Sequence, residues 1–416
     1  MDNNRDVIII GAGPAGLALA TALAHLDLQV TIVEKLAEEV LAEPPPDGRD
    51  IALTHRSMAI LKTLGIWQYL PAQEVAMIRS ARVEQGKPAE FLQFSPPGGT
   101  GINTLGCLVP NHWIRRAAFL AATAAFAGRP AIEVIAGVNV TGLRSHGALG
   151  EVTLADGRTL EARLMVAADS RFSENRRRMG IAAHMHDFGR AVIVCRMSHE
   201  LANDGIAHEC FQSGHTLAVL PLNGRQCSVV VTLPTRDAEQ MMEMAASTFA
   251  GLVEGYFDHR LGKMQLLGER HKYPLVAVYA RQFVAPRFAL LGDAAVGMHP
   301  VTAHGFNFGL YGVEVLSQSI AAARAAGSDI GATAALLHYQ RIHRRATLPI
   351  FLGTNALVKL YTDDGAAAGR VRRGLLRAAD KVGPLKSWIS RQLTDIPGVR
   401  RPSVAGRALA ALRGIR

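Results

Sequence analysis

Short uninterrupted apolar runs set the rhythm of this chain. Residues 6–10 (Asp-Val-Ile-Ile-Ile), 29–33 (Gln-Val-Thr-Ile-Val), 164–169 (Leu-Met-Val-Ala-Ala-Asp) and 288–293 (Phe-Ala-Leu-Leu-Gly-Asp) each read as a buried strand of a parallel sheet, apolar on both faces. The last three end on or beside an acid: Glu34, Asp169 and Asp293. Between the first two runs lies an Ala/Leu-rich helical stretch reaching about Leu26, so residues 6–34 form a β-α-β unit. Further helices are expected over 56–70, with Leu61, Leu64 and Leu70 on one face, over 111–126, over 236–260 and from Gly305 to about Ala326. Residues 75–105 mix short strands with Gly and Pro, and 131–166 alternate as strands with an Asp156-Gly157 turn signal. Asn223-Gly224 joins two apolar runs, 217–222 and 226–233, as a second hairpin. The stripe of Met241, Met244, Ala245, Phe249, Leu252 and Phe257 is read as core packing, and residues 294–303 as a loop.

The expected fold class is α/β: a Rossmann-like dinucleotide-binding domain with an inserted, mostly antiparallel β-sheet substrate domain and a helical C-terminal segment. The expected division is 1–72, 106–183 and 283–360 for the discontinuous dinucleotide domain, 73–105 and 184–282 for the substrate domain, and 361–416 for the C-terminal segment.

Composition sharpens this picture in a few places. A chain of 416 residues with 49% hydrophobic and 19% charged residues has the material for a large core and is not a disordered chain. Its net charge of +10 is uneven, because residues 359–416 hold 13 basic and 4 acidic side chains and the body is near balance. That distribution argues against a basic nucleic-acid-binding face. Arg370, Arg373, Arg377 and Lys381 share one stripe of a helical wheel, and Val371, Leu375, Ala378 and Val382 another. Such a helix either packs on the body with a solvated basic face or meets anionic lipid or an acidic partner, with Trp388 and Ile389 as interfacial anchors. No apolar run reaches membrane-spanning length, the N-terminus lacks a signal-peptide layout, and Cys107, Cys195, Cys210 and Cys227 form no paired motif. These features favour a cytoplasmic protein with reduced thiols and no bound metal, possible contact with the inner membrane face being left to the tail.

The chemistry sits at the strand ends. In Gly11-Ala-Gly13-Pro-Ala15-Gly16, the first glycine permits the tight turn, the second lets a pyrophosphate approach, and the third lets helix and strand pack closely. The helix N-terminus offers N–H groups and positive dipole to phosphate, and Glu34, followed by Lys35, can accept from ribose hydroxyls.

Together with Arg49-x-Ile-Ala-Leu-Thr, Asp169-Ser170-Arg171, Gly292-Asp293, His299-Pro300 and Gly305-Phe306-Asn307-Phe-Gly309, this sequence resembles the class A FAD-dependent aromatic hydroxylases, the para-hydroxybenzoate hydroxylase-like group. Tyr273-Pro274-Leu275, Gly374-Leu375 and Pro384-Leu385-Lys386 are similar to its ubiquinone-biosynthesis branch, which includes 5-demethoxyubiquinol hydroxylases. The resemblance implies FAD as cofactor, NADH or NADPH as electron donor, O2 as co-substrate, and hydroxylation of a prenylated phenol or quinol by oxygen added at flavin C4a. It implies cofactor contacts from Gly11, Gly13, Ala15, Gly16, Glu34, Lys35, Arg49, Asp169, Asp293, Gly305, Phe306 and Asn307, and catalytic positions at His299, Pro300 and His304. Ser170 stands where the family usually carries Gly, Val296 where His is frequent, and Ala303-His304-Gly305 where Gly-Gln-Gly is common. Asp293 could instead cap a helix, Arg49 could be a surface ion-pair partner, and His304 a hydrogen-bonded structural histidine. A non-hydroxylating reductase of the same fold, geranylgeranyl reductase-like, and a hydroxylase of another small aromatic are the alternative functions.

Overall fold

The computed structural model describes residues 5–85, 91–96, 98, 101–124, 132–212, 214–298, 305–362 and 395. Its central layer is a mixed sheet. Strands β1 (Arg5–Ile10), β2 (Val30–Val33), β8 (Glu133–Ile135), β11 (Thr159–Ala167) and β18 (Phe288–Leu290) run parallel in the order β18-β11-β1-β2-β8. An antiparallel extension adds β9 (Val140–His146) and β10 (Leu149–Leu154) behind β11, and β17 (Val284–Ala285) edges β18. The apolar runs read from the sequence are these parallel strands. Val7, Ile8, Ile9, Ile32, Leu164, Val166 and Phe288 are fully buried because helices cover both faces.

Those helices are α1 (Pro14–Ala24), α4 (Asn111–Thr123), α8 (Gly305–Ala325) and α9 (Thr333–Thr362). Short α2 (Glu38–Ala42), α3 (His55–Thr63) and α5 (Glu174–Arg178) lie in the connections. The expected helix over 56–70 ends at Thr63. Gly65 takes φ 71°, and a 3-10 turn over Trp67–Tyr69 follows, though Leu61, Leu64 and Leu70 are all buried as foreseen.

A second sheet has the order β19-β16-β12-β15-β14-β13-β5-β6, built from β19 (Val296–Gly297), β16 (Met264–Ala280), β12 (Ala183–His199), β15 (Gln226–Pro234), β14 (Thr216–Pro221), β13 (Ile206–Phe211), β5 (Ser80–Gln85) and β6 (Phe91–Phe94). Every neighbour is antiparallel except β13 with β5. Asn223 and Gly224 form the β14–β15 hairpin, with Gly224 at φ 67°. A small sheet of β3 (Asp50–Leu53), β7 (Gly106–Pro110) and β4 (Ala76–Ile78) lies between the two larger ones in packing. Arg196 of β12 straps the layers together, meeting the fully buried Asp50 carboxylate at 2.6 Å and Glu74 at 3.3 Å.

Three further expectations need correction. The segment 236–260 is two helices, α6 (Thr235–Glu243) and α7 (Ala246–Tyr256), with Met244 and Ala245 extended between them. The break is imposed from a distance: Arg270 of β16 donates to the carbonyls of Met241 and Met244, at 2.9 and 2.6 Å, and ends α6 there. Met241, Phe249 and Phe257 still bury against the large sheet, so the stripe is core packing. The segment 294–303 is not all loop, since Val296 and Gly297 pair with Tyr279 and Val278. Helix α4 stops at Thr123 instead of reaching Phe126. The long α9, carrying Pro349 in its interior, has no counterpart among the sequence expectations. Of the basic tail, the described residues are the end of α9 up to Thr362 and Asp395, whose carbonyl accepts from the Arg56 N–H. The amphipathic helix over 366–382, Trp388 and Ile389 lie outside them.

Candidate functional site

The glycine loop shows why its residue types are needed. Gly11 has φ 108°, and a Cβ there would stand 2.7 Å from the Ala168 carbonyl oxygen. A Cβ at Gly16 would stand 2.1 Å from the Gly11 carbonyl oxygen, so this glycine sets the distance between α1 and β1. Gly13 differs from both. Its φ is −68°, and the nearest atom to a Cβ would be 3.9 Å away. The fold itself does not demand glycine at 13, and the space beside it is open to a ligand. Gly13 is also the N-cap of α1 and carries no side-chain cap, so the helix start is left to an incoming acceptor.

Glu34 closes the cradle. It is buried at the end of β2, where its Oε2 accepts from the Ala12 N–H at 2.7 Å and its Oε1 from the Leu36 N–H at 3.0 Å. Each oxygen keeps a second lone pair for a hydroxyl donor. Lys35 is exposed and turns away from this packing.

The other two acids converge on the same place. Ala15 Cβ lies 3.4 Å from where a Cβ at Gly292 would be and 3.5 Å from that of Gly309. The start of α1, the Asp293 turn and the first turns of α8 therefore meet at three small residues. Arg171 donates to the Asp293 Oδ2 at 2.9 Å and to the Val276 carbonyl at 3.0 Å. Asp293 remains about one-third exposed and does not cap a long helix. Asp169 accepts from the Asn175 amide at 3.0 Å through Oδ2, and its Oδ1 is buried with no partner. A buried carboxylate oxygen without a donor is costly unless a ligand supplies one.

The Asn307 side chain binds the scaffold, which leaves its backbone at the start of α8 for a cofactor. Its amide donates to the Ala52 carbonyl at 2.8 Å, and its oxygen accepts from the Thr54 N–H at 3.0 Å. It pins the first turn of α8 to β3. Gly305 opens that helix with no atom within 4 Å of a would-be Cβ, and Phe306 packs on the main core. Arg49 pairs with Asp47 at short range and stacks 5.3 Å from the Tyr273 ring centroid, half-exposed. The pair stands beside the cofactor contact that the resemblance implies and does not replace it, since Asp293 is also among the charges that act on this guanidinium. Burial alone would raise the Asp47 carboxyl, but the Arg49 guanidinium and the Asn111 amide outweigh it and hold it below its ordinary range. His299, Pro300 and His304 lie outside the described residues.

Arg176 escaped the sequence reading. It is fully buried, and its Nη1 donates to the Arg171 carbonyl at 3.1 Å and the Ala294 carbonyl at 3.0 Å. It locks the Asp169 segment to the Asp293 turn. Ser173 caps α5 by accepting from the Arg176 N–H at 2.9 Å. The spacing of Asp169, Ser173 and Arg176 was the available signal; in sequence Arg176 looks like one of three adjacent surface arginines. The four cysteines are buried free thiols. Burial pushes Cys107, Cys195 and Cys210 up to about 12 and raises Cys227 as well, which leaves them unreactive.

A parallel sheet with a glycine cradle, three carboxylates at strand ends and a helix entering through small residues defines a flavin-dinucleotide-binding oxidoreductase. The open side of Gly13 fits a pyrophosphate and the unpartnered Asp169 oxygen fits a hydroxyl donor, so the residues suit FAD. Residues 4–344 match the family described as FAD binding domain. The chain is 41% identical to the ubiquinone hydroxylase UbiM of Neisseria meningitidis, over 95% of this chain and 85% of that one. It is 34% identical to the ubiquinone hydroxylase UbiL of Rhodospirillum rubrum, over 94% and 89%. Among solved structures, p-nitrophenol 4-monooxygenase PnpA from Pseudomonas putida superposes with a TM-score of 0.75 at 16% identity, over 96% of this chain and 99% of that one. The chain belongs to the FAD-binding family and, within it, to the branch of the ubiquinone hydroxylases; FAD is its cofactor.

Proposed function

We propose that the protein is an FAD-dependent monooxygenase that hydroxylates the aromatic ring of a prenylated phenol or quinol intermediate of ubiquinone biosynthesis, with NADH or NADPH as electron donor and O2 as co-substrate. The observation that carries this reading is the convergence of the glycine cradle, the Asp293 turn and the start of α8 at Ala15, Gly292 and Gly309, in a chain 41% identical to a ubiquinone hydroxylase. When bound, FAD passes electrons from the nicotinamide to O2 and delivers one oxygen atom to the ring.

The residues of the chain bind, orient and shield. The α1 N-terminus and the open side of Gly13 receive the pyrophosphate, Glu34 the adenosine ribose, and Asp169 and Asp293 the remaining hydroxyl donors. Arg171 and Arg176 keep those two carboxylates in register before anything binds. Asn307 fixes the start of α8, whose positive end favours negative charge developing nearby. His299, Pro300 and His304 are proposed to cover the reacting centre from the adjoining loop. Among the described residues no helix is long and apolar enough to cross a membrane. We therefore assign the meeting with a lipid-soluble substrate to the basic segment 361–416, acting at the membrane surface or on an acidic partner.

Expression in a host lacking a quinone-ring hydroxylase tests the reading. Restored ubiquinone, or a newly hydroxylated prenyl intermediate identified by mass, supports it. Reduction of a prenyl double bond without O2 uptake would favour the reductase alternative.

A further inference from the structure

The large sheet shows two chemically different faces. On β13, His208 and Cys210 turn toward α6 and α7, and every charge there is answered. His208 lies 2.9 Å from Glu84, and Arg260 pairs with Glu84 at 2.8 Å. Ala207, Glu209 and Phe211 turn the other way.

Register fixes the surroundings of Glu209. It stands between Val83 on β5 and Ala218 on β14, in a row that continues through Val230 on β15 to Val194 on β12. Its flank packs on the flavin-binding side, because Val83, Ala207 and Leu220 join a cluster with Ile78 of β4 and Leu108 of β7. The far end of the row lies there too. A Cβ on Gly48, one residue before Arg49, would come within 3.1 Å of Val194. Glu209 is thus a carboxyl in the middle of an apolar row that looks at the flavin-binding layer.

Nothing in the described residues answers it. Glu209 is half-buried and has no hydrogen bond or ion pair. Beside it, the same-face positions of β5 are Ala81, Val83 and Gln85, and those of β14 are Thr216, Ala218 and Leu220, none titratable. The Gln85 amide oxygen is itself buried without a partner. Farther along this face Arg196 holds Asp50 and Glu74, and the row ends beyond Val194 on His271 of β16, whose ring lies beside Gly48. The Tyr273 hydroxyl donates to the Asp47 carbonyl. From the facing small sheet the charged group is Asp50, and the Arg79 stem packs on Gly205 at the start of β13. Desolvation accordingly pushes the Glu209 carboxyl up to about 8. Its oxygens are still reached by solvent, so on this otherwise apolar face the carboxyl stands open to a ligand donor.

We propose that Glu209 is a catalytic residue whose carboxylate accepts the hydrogen bond of the substrate's ring hydroxyl and takes that proton as the ring is oxygenated. This rests on the aromatic-hydroxylase reading above. The phenolic O–H bond breaks, its proton moves to Glu209 Oε, and its electron pair enters the ring, making the ortho and para carbons more nucleophilic. One atom of O2 forms the new C–O bond and the other leaves as water, with NADH or NADPH as reductant. The ring hydrogen at that carbon is lost as a proton, and the Glu209 proton returns to the ring oxygen, so the carboxylate is regenerated.

The test uses the full FAD-loaded chain with 2-geranylphenol and either nicotinamide, measuring hydroxylated product, hydrogen peroxide and melting temperature between pH 6 and 9.5. Glu209→Gln is expected to lower kcat/KM for product by about a hundredfold or more. It should also remove the limb that rises toward pH 8, leave FAD content unchanged, and melt no lower than the parent. Glu209→Asp should recover part of the rate. A Glu209→Gln enzyme within threefold of the parent, with the same pH profile, overturns the assignment alone. So does a joint fall in melting temperature for Glu209→Gln, Glu209→Asp and Glu209→Leu, which marks a structural carboxyl. A parent enzyme that binds FAD and oxidises the nicotinamide yet leaves the phenol unhydroxylated overturns the hydroxylase reading, and the role of Glu209 with it.

Discussion

Gly13→Ala separates what the fold requires from what the cofactor requires. At Gly13 an added Cβ meets nothing closer than 3.9 Å, and the backbone at φ −68° and ψ 165° suits alanine. Apoprotein stability should hold or rise by about 0.4–1 kcal/mol, through a less flexible unfolded chain. The cofactor should feel the methyl group fully, because the pyrophosphate must approach the backbone at this residue. Losing one charge-assisted hydrogen bond to phosphate costs about 1.5–3 kcal/mol, or roughly tenfold to 150-fold in Kd. Gly11→Ala is the contrast. Its φ of 108° and the 2.7 Å approach to Ala168 strain the polypeptide itself, by about 1–3 kcal/mol for the dihedral alone. The assay pairs FAD titration, followed by flavin fluorescence, with urea unfolding of the flavin-free proteins. Gly13→Ala protein that binds FAD with parental affinity, or that unfolds as readily as Gly11→Ala, would refute the reasoning.

Other expectations follow from single contacts. Asp293→Ala should weaken FAD binding by about tenfold to a hundredfold, read as flavin-to-protein absorbance after gel filtration; unchanged flavin content would count against Asp293 as a ligand. Arg196→Ala strands the buried Asp50 carboxylate and should cost about 3–5 kcal/mol, seen as a lower urea midpoint that Arg196→Lys partly restores. His343 is fully buried, its Nε2 donates to the Phe308 carbonyl, and burial depresses its imidazole to about 4. The unfolded chain binds this proton from about pH 6.5 downward and the folded chain does not, so stability present above that pH is lost toward pH 4, by about 3 kcal/mol. Melts at pH 7 and pH 5 should show a smaller acid-induced drop for His343→Gln than for the parent. Replacing Arg370, Arg373, Arg377 and Lys381 by Gln should weaken binding to anionic vesicles by up to about 1 kcal/mol per charge, and undiminished sedimentation with such vesicles would remove the membrane role of the tail.

The glycine cradle and the acidic strand ends were legible because they are backbone constraints, and such constraints leave fixed residue types at fixed spacings. Gly11, Gly16 and the hairpin at Gly224 are read correctly for that reason. Features set by distant partners were not legible. Arg270 breaks the helix after Glu243 from 26 residues away, at a point with neither Gly nor Pro. Arg176 stands in an Arg-Arg-Arg run that resembles a solvated face, and only the packed structure separates the buried arginine from its neighbours. Helix α9 was hidden by Pro349, a residue that ordinarily ends a helix. Asn307 carries the motif faithfully, yet its side chain serves the scaffold. Glu209 shows no motif at all, since its isolation depends on which face of a strand it occupies.

The antiparallel ribbon of β12 and β16 bears on how a bulky substrate gets in. Each strand is 17 residues long, and their paired register runs from Ala183 and Ala280 to His199 and Met264. One end of β16 is rooted in the main core through Ala277 and Tyr279, and the other in the core beneath α7 through Met264. The ribbon crosses between the layers without a connecting loop. The ladder is interrupted near its middle, where the register shifts between Asp187 and Ala191 and again between Val194 and Arg196, so a change in the angle between the layers would bend the ribbon at those points. A long apolar substrate lodged in the seam between the layers would press on the ribbon where the fewest ladder bonds resist a shift.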